Sequence, residues 1–586
     1  MRLRSFALLP FAAASLAALA ALNCGGSVNN VNNQDGGPTE AGTINPDAGP
    51  ADPNANPDAV GATASSKVDI LFVVDNSASM GDKASLLSAS IGTLLRKVAP
   101  AGDVHVGVIS SSLGGFGGDV CANSAPQSSL AHLGTTGPGS VPVPAAATGV
   151  LAYGGAGGTT DINAFVSNAE KLVQGVGQAG CGLEAQLESA YRFLVQPDPW
   201  AGISVTNTNQ AQYDGIDTEV LAQRKAFLRP DSLVVVVMLT DEDDSSPDPR
   251  SVGGQGWAFS ANQFPGSTVF RADGKTTTAP RPTSACATDP ASADCTSCGF
   301  AATCDASDAA CQKIKSDPEC QKNGGYYGPT EEQLNVRYHH MKQRYGIDPQ
   351  FPLSRYVDGF TKQRTANREG EHTTAGTTIS PYLGNANCTN PLFAASLPSA
   401  AGDEICKLPQ GPRGKELVLF AVIGGVPEGL VGPTPDWNKI LGADPISASS
   451  AGQDPHMVQS TRARPGLPAA TATRGDNGTD AIHGREWETG DNDLQYACTF
   501  TLPVPRTCTV QDASCDCANT TNPPLCGAGT GNQVKAKAYP TIRELRVVKE
   551  LGDRGIAGSI CPSNPALGYD STMSVLADRI APRLTK

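Results

Sequence analysis

A doubly wound α/β fold is predicted: a mainly parallel sheet flanked by helices, with two disulfide-rich irregular insertions. Three observations predict it. Apolar runs rich in branched residues recur at 68–74, 104–109, 232–239 and 417–423. Runs of this kind fit strands buried on both faces, as in a parallel sheet. Segments with helical apolar spacing lie between several of them, and such alternation implies right-handed crossovers with cover on both faces. The blocks 245–414 and 428–539 break the pattern and hold most of the 17 Cys.

Taken in order, the chain opens with Arg2 and Arg4 ahead of an apolar stretch from Phe6 to Leu22. This is the pattern of an export signal over 1–23, too short and wrongly flanked for a spanning helix. Cys24 follows in Ala21-Leu22-Asn23-Cys24-Gly25-Gly26. The stretch resembles the lipobox of bacterial lipoproteins, where cleavage exposes a Cys that is then lipidated. Ala18-Leu19-Ala20 offers ordinary cleavage and secretion as the alternative. Setting Cys24 aside from the 17 Cys leaves an even number, which suits disulfides in an oxidising compartment. Residues 25–66 have almost no large apolar side chain, so they cannot offset their ordering entropy. The stretch 24–66 reads as a lipid-anchored disordered tether.

The domain proper is expected over 67–586, with core segments 67–244, 415–427 and 540–586. After the first strand, Leu86, Leu87, Ile91, Leu94, Leu95 and Val98 keep helical spacing until Pro100. A second strand follows at 104–109, and 111–160 reads as Gly/Ser/Pro-rich loop. Thr160-Asp161 is a capping signal for a helix over 162–173. Leu183, Leu187, Ala190, Tyr191 and Leu194 line one face of the next helix, closed by Pro197 and Pro199. Ser232–Leu239 is the strongest strand signal. Within the first insertion only 331–345 reads as helical. A strand at 417–423, a helix at 542–551, a short strand at 556–560 and a helix at 572–584 complete the core.

Composition narrows the function classes. The net charge is -14 and no Lys/Arg-rich run occurs, so nucleic acid is not an expected partner. Only 5% of residues are aromatic, while Gly (64) and Pro (44) are abundant, which points to much loop around a modest core.

Two core strands, far apart in sequence, end in oxygen donors. The first runs into Asp75-Asn76-Ser77-Ala78-Ser79 and the third into Thr240-Asp241-Glu242-Asp243-Asp244. Strand ends are where ligands bind in open α/β sheets. Carboxylates and hydroxyls form the donor set of hard cations such as Mg²⁺ or Mn²⁺, with Ca²⁺ a third choice. The plainer reading of the first cluster is a solvated turn with Asp75 or Ser77 capping the next helix. For Glu242, Asp243 and Asp244 the plainer reading is an exposed acidic loop.

Asp75-x-Ser77-x-Ser79 after one strand, with Thr240-Asp241 after another, resembles the von Willebrand factor type A domain, here of a bacterial lipoprotein type. The resemblance covers 68–240 and, more loosely, 415–424 and 540–584. It implies a metal-ion-dependent adhesion site. Ser77 and Ser79 would bind the ion, and Asp75 and Asp241 would orient its waters. An open position would accept a carboxylate from a partner. The family's threonine ligand aligns with Cys181, a poor donor for a hard cation. Either Glu184 substitutes from one turn along, or coordination is weakened.

Disulfides are favoured over zinc for Cys295-x-x-Cys298 and Cys515-x-Cys517 in an exported chain. Cys121 and Cys181 are the only cysteines besides Cys24 before the first insertion, and they are expected to pair. Catalytic signals are thin: the chain has no G-x-S-x-G and no H-E-x-x-H, and Gly274-Lys275-Thr276 lacks the glycine that opens a phosphate loop. His456 and His483 lie in irregular sequence and are expected at the surface.

The expected protein is a binding protein of the cell envelope and not an enzyme. It would be lipid-anchored at the outer membrane, on its periplasmic or surface face, or else secreted. Its partners would be the membrane, through the lipid, and a protein or surface ligand offering a carboxylate. The alternatives are a metal-independent structural or assembly lipoprotein and, last, a metal-dependent hydrolase.

Overall fold

The computed structural model describes residues 56–585, apart from 115–127, 207–209, 258–279, 290–291, 303, 329–330, 333–335, 376–377, 444–450, 471–478, 510–513, 521 and 530. The stretch expected to be an export signal, Cys24 and Cys121 lie outside the described residues. No described helix is long and apolar enough to cross a membrane.

A six-stranded sheet organises the chain. Its strands are β1 (Val68–Val74), β2 (Asp103–Ser110), β3 (Leu151–Gly154), β4 (Leu233–Leu239), β5 (Val418–Gly424) and, after the second insertion, β8 (Gly555–Ser559). The order across the sheet is β8-β5-β4-β1-β2-β3, and only β3, at one edge, is antiparallel. β1, β4 and β5 are buried along their whole length, as central parallel strands must be.

Alternation along each strand divides the apolar residues between two layers. Ile70, Phe72 and Val74 pack under α1 (Gly81–Val98), α2 (Ile162–Gly175) and the last helix, α8 (Asp570–Ile580). Leu71 and Val73 face α3 (Gln186–Leu194), α4 (Thr218–Phe227), α6 (Leu353–Gly359) and α7 (Ile542–Glu550). Asp161 caps α2 by accepting from the amides of Asn163 and Ala164, as expected. The chain is thus a mixed α/β domain with a largely parallel sheet between helical layers, carrying two cysteine-rich insertions.

Several expectations need correction. The stretch 111–160 is not all loop: it supplies β3, whose Leu151 is a lone buried apolar side chain on a half-exposed edge strand. That leaves little sequence signal. The helix expected over 331–345 is α5, Arg337–Tyr345. The second insertion contains a long hairpin, β6 (Cys498–Thr507) with β7 (Asn532–Ala538), whose two register blocks are offset between Thr501 and Arg506. Residues 57–66 are not free tether. Ala59 N–H donates to Thr361 O at 2.8 Å, and Asp58 pairs with Lys362 at 2.9 Å and with Lys415. Backbone pairing and a charge clamp hold a segment whose one buried apolar side chain is Ala59.

Seven disulfides join described cysteines in pairs. Six lie within one insertion or the other. Cys498–Cys561 instead ties the base of the hairpin to the core just after β8.

Candidate metal centre

Three adjacent strands end at one level, because Val74 sits opposite both Ser110 and Leu239. The ladder continues one residue further. Asp75 N–H donates to Leu239 O at 2.9 Å, and Ser111 N–H donates to Val74 O at 3.1 Å. Asp75, Ser111 and Thr240 are therefore neighbours on the carboxyl edge of the sheet.

Asp75 is fully buried. Its Oδ1 accepts from the Ser77 amide at 2.8 Å and its Oδ2 from the Thr240 hydroxyl at 2.9 Å. Burial, reinforced by the charge of Asp241, pushes its carboxyl up to about 7. The capping role does not materialise. Asp75 closes a tight turn over Ser77, and the buried Ser77 hydroxyl makes no cap bond to the following helix.

Ser79 Oγ donates to Asp241 Oδ2 at 2.7 Å. Lys83, one helical turn on, is also buried, with Nζ 2.8 Å from Asp241 Oδ2 and 2.8 Å from Ser79 O. Burial opposes its charge, but Asp241 and then Asp82 hold its ammonium above the usual lysine range. Sequence reasoning missed Lys83. The available signal was a lysine four residues after Ser79, on the same helical face.

Glu184, just before α3, is 1% exposed, and neither of its carboxylate oxygens has a described partner. Asp241 Oδ1 is likewise buried without one. Burial first, then the charges of Glu242, Asp75 and Asp241, push Glu184 well above the usual carboxylate range. The structure thus brings together Asp75, Ser77, Ser79, Asp241 and Glu184. Thr240 and Gln186 join them, Gln186 Nε2 donating to Thr240 Oγ1 at 2.6 Å.

Cys181 is disulfide-bonded, so it has no thiolate to offer a cation. Its amide donates to Ser112 Oγ at 2.7 Å, and that hydroxyl donates to Asn76 Oδ1 at 2.7 Å. The loop is thereby fastened to the residue between Asp75 and Ser77. The expected partner, Cys121, is outside the described residues.

The acids after Asp241 do not form an exposed loop. Asp244 is buried and accepts from the Leu187 amide at 3.1 Å, with Arg543 3.5 Å away. Asp243 accepts from the Arg543 amide at 2.7 Å and from Gln459 Nε2 at 2.8 Å. The strand end runs into the start of α7, whose orphan amides need acceptors. Tyr539, after the hairpin, donates its amide to Asp241 O at 2.8 Å. Gly425 makes room for it: a Cβ there would meet Tyr539 O at 1.7 Å.

A small cleft, open to solvent, runs beside 242–245. Tyr338 and His339 of the first insertion border it, as do Gln459 and Leu494 of the second.

His456 and His483 are not surface residues. Both are buried, and with Asp480 they form a second cluster that could hold a metal ion, its ligand atoms all within 4.8 Å of one another. The second insertion folds over them because the Ile482 carbonyl accepts from the Thr499 amide of β6 at 2.9 Å.

The strand-end group offers oxygen donors alone, the chemistry of a hard divalent cation. Its partnerless buried oxygens are the atoms such an ion would satisfy.

No family model and no curated protein matches the chain. Among solved structures, it is similar to the pilus adhesin (RrgA) from Streptococcus pneumoniae at 13% identity, over 32% of this chain and 22% of the adhesin, with a TM-score of 0.14. A likeness at that level carries no argument here.

Proposed function

We propose that the strand-end cluster is a divalent-cation site of the von Willebrand factor type A kind. On this reading the protein is an exported, lipid-anchored envelope protein that binds a protein or surface ligand through a carboxylate, with no turnover. The observation that carries the reading is the set of buried oxygens without partners: Asp241 Oδ1 and both oxygens of Glu184. Leaving such groups unpaired costs about 1–3 kcal/mol each, and one ion would satisfy several of them. Ser77 and Ser79 would hold Mg²⁺ or Mn²⁺ directly, Glu184 would stand in for the threonine, and Asp75 and Asp241 would act through water. The ion supplies an open coordination position for the ligand's carboxylate. The cleft beside 242–245 lies next to this edge, so both insertions would shape what reaches it.

A second reading has one specific observation in its favour. The buried ammonium of Lys83 already neutralises Asp241, which suits a metal-independent structural role. Calorimetry with Mg²⁺ and Mn²⁺ separates the two. Binding heat and a raised melting temperature, both lost in Asp75→Ala and Glu184→Gln, support the cation site. No heat and an unchanged melting temperature support the structural role.

A further inference from the structure

Outside the strand-end cluster, the second insertion buries two imidazoles against one carboxylate. His456 Nε2 and His483 Nδ1 each lie 3.2 Å from Asp480 Oδ1. The far side of each ring also faces a carboxylate. His456 Nδ1 is 2.7 Å from Asp454 Oδ1, and His483 Nε2 is 2.6 Å from Glu486 Oε1. Glu486 is held in turn by Arg464, at 2.7 Å.

The bonding count of this arrangement is unusual. An ionised carboxylate only accepts, so the short contacts to Asp454 and Glu486 place an N–H on the far nitrogen of each ring. A neutral imidazole then presents a lone pair from its near nitrogen. Both near nitrogens face Asp480 Oδ1, which already accepts from the amides of Ile482 at 2.7 Å and His483 at 3.0 Å. With both rings neutral, lone pairs meet lone pairs here, the two rings 4.8 Å apart, unless a second ring proton or an ion lies between. A cation among the three atoms removes the conflict.

We propose that His456, His483 and Asp480 bind one transition-metal ion of the zinc class, with Asp454 and Glu486 orienting the imidazoles. The spacing fits. A tetrahedral ion with bonds of about 2.0–2.1 Å sets neighbouring ligand atoms about 3.3 Å apart. Two nitrogens and a carboxylate suit Zn²⁺ better than Mg²⁺ or Ca²⁺. Carboxylates behind metal-binding histidines fix the tautomer and raise ligand basicity. Asp480 keeps 17% of its side chain exposed, which leaves a side open for water as fourth ligand. The ion would staple Asp454–His456 to Asp480–Glu486 within the second insertion. This site is independent of the strand-end cluster and of the function proposed for it.

The test uses the whole mature protein, stripped with a chelator and reloaded with Zn²⁺ alone. One equivalent is expected to survive desalting and to raise the melting temperature. X-ray absorption of the loaded wild type is expected to show two imidazoles and light-atom ligands. Asp480→Asn is expected to lose the equivalent, and Asp454→Asn or Glu486→Gln to weaken binding about 10–100-fold. No retained zinc, zinc without imidazole ligation, or unchanged affinity in the folded Asp480→Asn protein would each overturn the proposal. The absorption measurement decides the matter even if the variants do not fold.

Discussion

The ammonium of Lys83 lies 2.8 Å from Asp241 Oδ2, and both side chains are buried. A fixed cation thus sits within the cluster proposed to take a mobile one. Removing one partner of a buried ion pair costs about 3–5 kcal/mol. Lys83→Met is therefore expected to lose that much stability to urea in metal-free buffer. If the cluster binds a divalent cation, millimolar Mg²⁺ or Mn²⁺ restores part of the loss, and the variant binds the ion more tightly than wild type. An equal loss with and without the ion counts against the cation site.

The two motif serines should separate cleanly. Ser79 Oγ donates to Asp241 at 2.7 Å, whereas Ser77 Oγ makes only a lesser contact with the Asp75 carboxylate. Hydrogen bonds to charged groups contribute about 1.5–3 kcal/mol. Ser79→Ala is expected to lower stability by that order in metal-free buffer. Ser77→Ala is expected to change it little and to show its effect only in Mg²⁺ titrations. Urea melts of both variants, with and without the ion, check this. A Ser77→Ala loss as large as that of Ser79→Ala, in metal-free buffer, would contradict the assignment.

The core was legible because buried parallel strands announce themselves. Val68–Val74, Leu233–Leu239 and Val418–Gly424 carry little but apolar residues, and each ends in a sharp polar or glycine break. Asp75, Ser77, Ser79 and Asp241 were visible for the same reason, since they mark where two such strands stop. Lys83 was less so, as was the bond from Thr240, itself visible in the motif, to Asp75. Their roles depend on which strand lies beside which, and the β4-β1 register is set by tertiary packing. The hairpin Cys498–Ala538 was missed because its burial is one-sided, and Pro503 and Pro505 interrupt the β-pattern. The burial of His456 and His483 was illegible for a related reason. The groups that make it tolerable, Asp454, Asp480 and Glu486, are polar residues in irregular chain, and only the fold brings them together.

Cys498–Cys561 closes a 63-residue loop, whereas Cys508–Cys515 closes one of 7. Loop-closure entropy gives about 4 kcal/mol for the first and about 2 kcal/mol for the second. The double variant Cys498→Ser/Cys561→Ser is expected to lose the larger amount. It should also free the hairpin from the core, with hydrogen exchange rising across Asn532–Ala538. Removing Cys508–Cys515 should leave exchange in the hairpin's base at Cys498–Thr501 unchanged. Mass-resolved exchange on the two variants makes the comparison, and equal effects would show that the long bridge does not anchor the hairpin.

His339 borders the cleft between the insertions, and its Nε2 is buried with no described partner. Burial, then the charges of His340 and Lys342, pull its imidazole down from 6.5 to about 4. The unfolded chain therefore takes up a proton first as the solution is acidified. Between about pH 6.5 and about pH 4 the unfolded state binds more protons than the folded one, so stability falls as pH falls. The loss is complete below the folded value and amounts to about 3 kcal/mol at most, at roughly 1.4 kcal/mol per unit. Above pH 6.5 the group contributes nothing to the pH dependence. His339→Gln cannot charge, so its stability between pH 7 and pH 4.5 should decline less than that of the wild type. Urea melts at half-unit steps give both curves. Parallel curves would mean that His339 charges as readily in the folded protein as in the unfolded chain, and that the cleft wall around it is wetter than its burial implies.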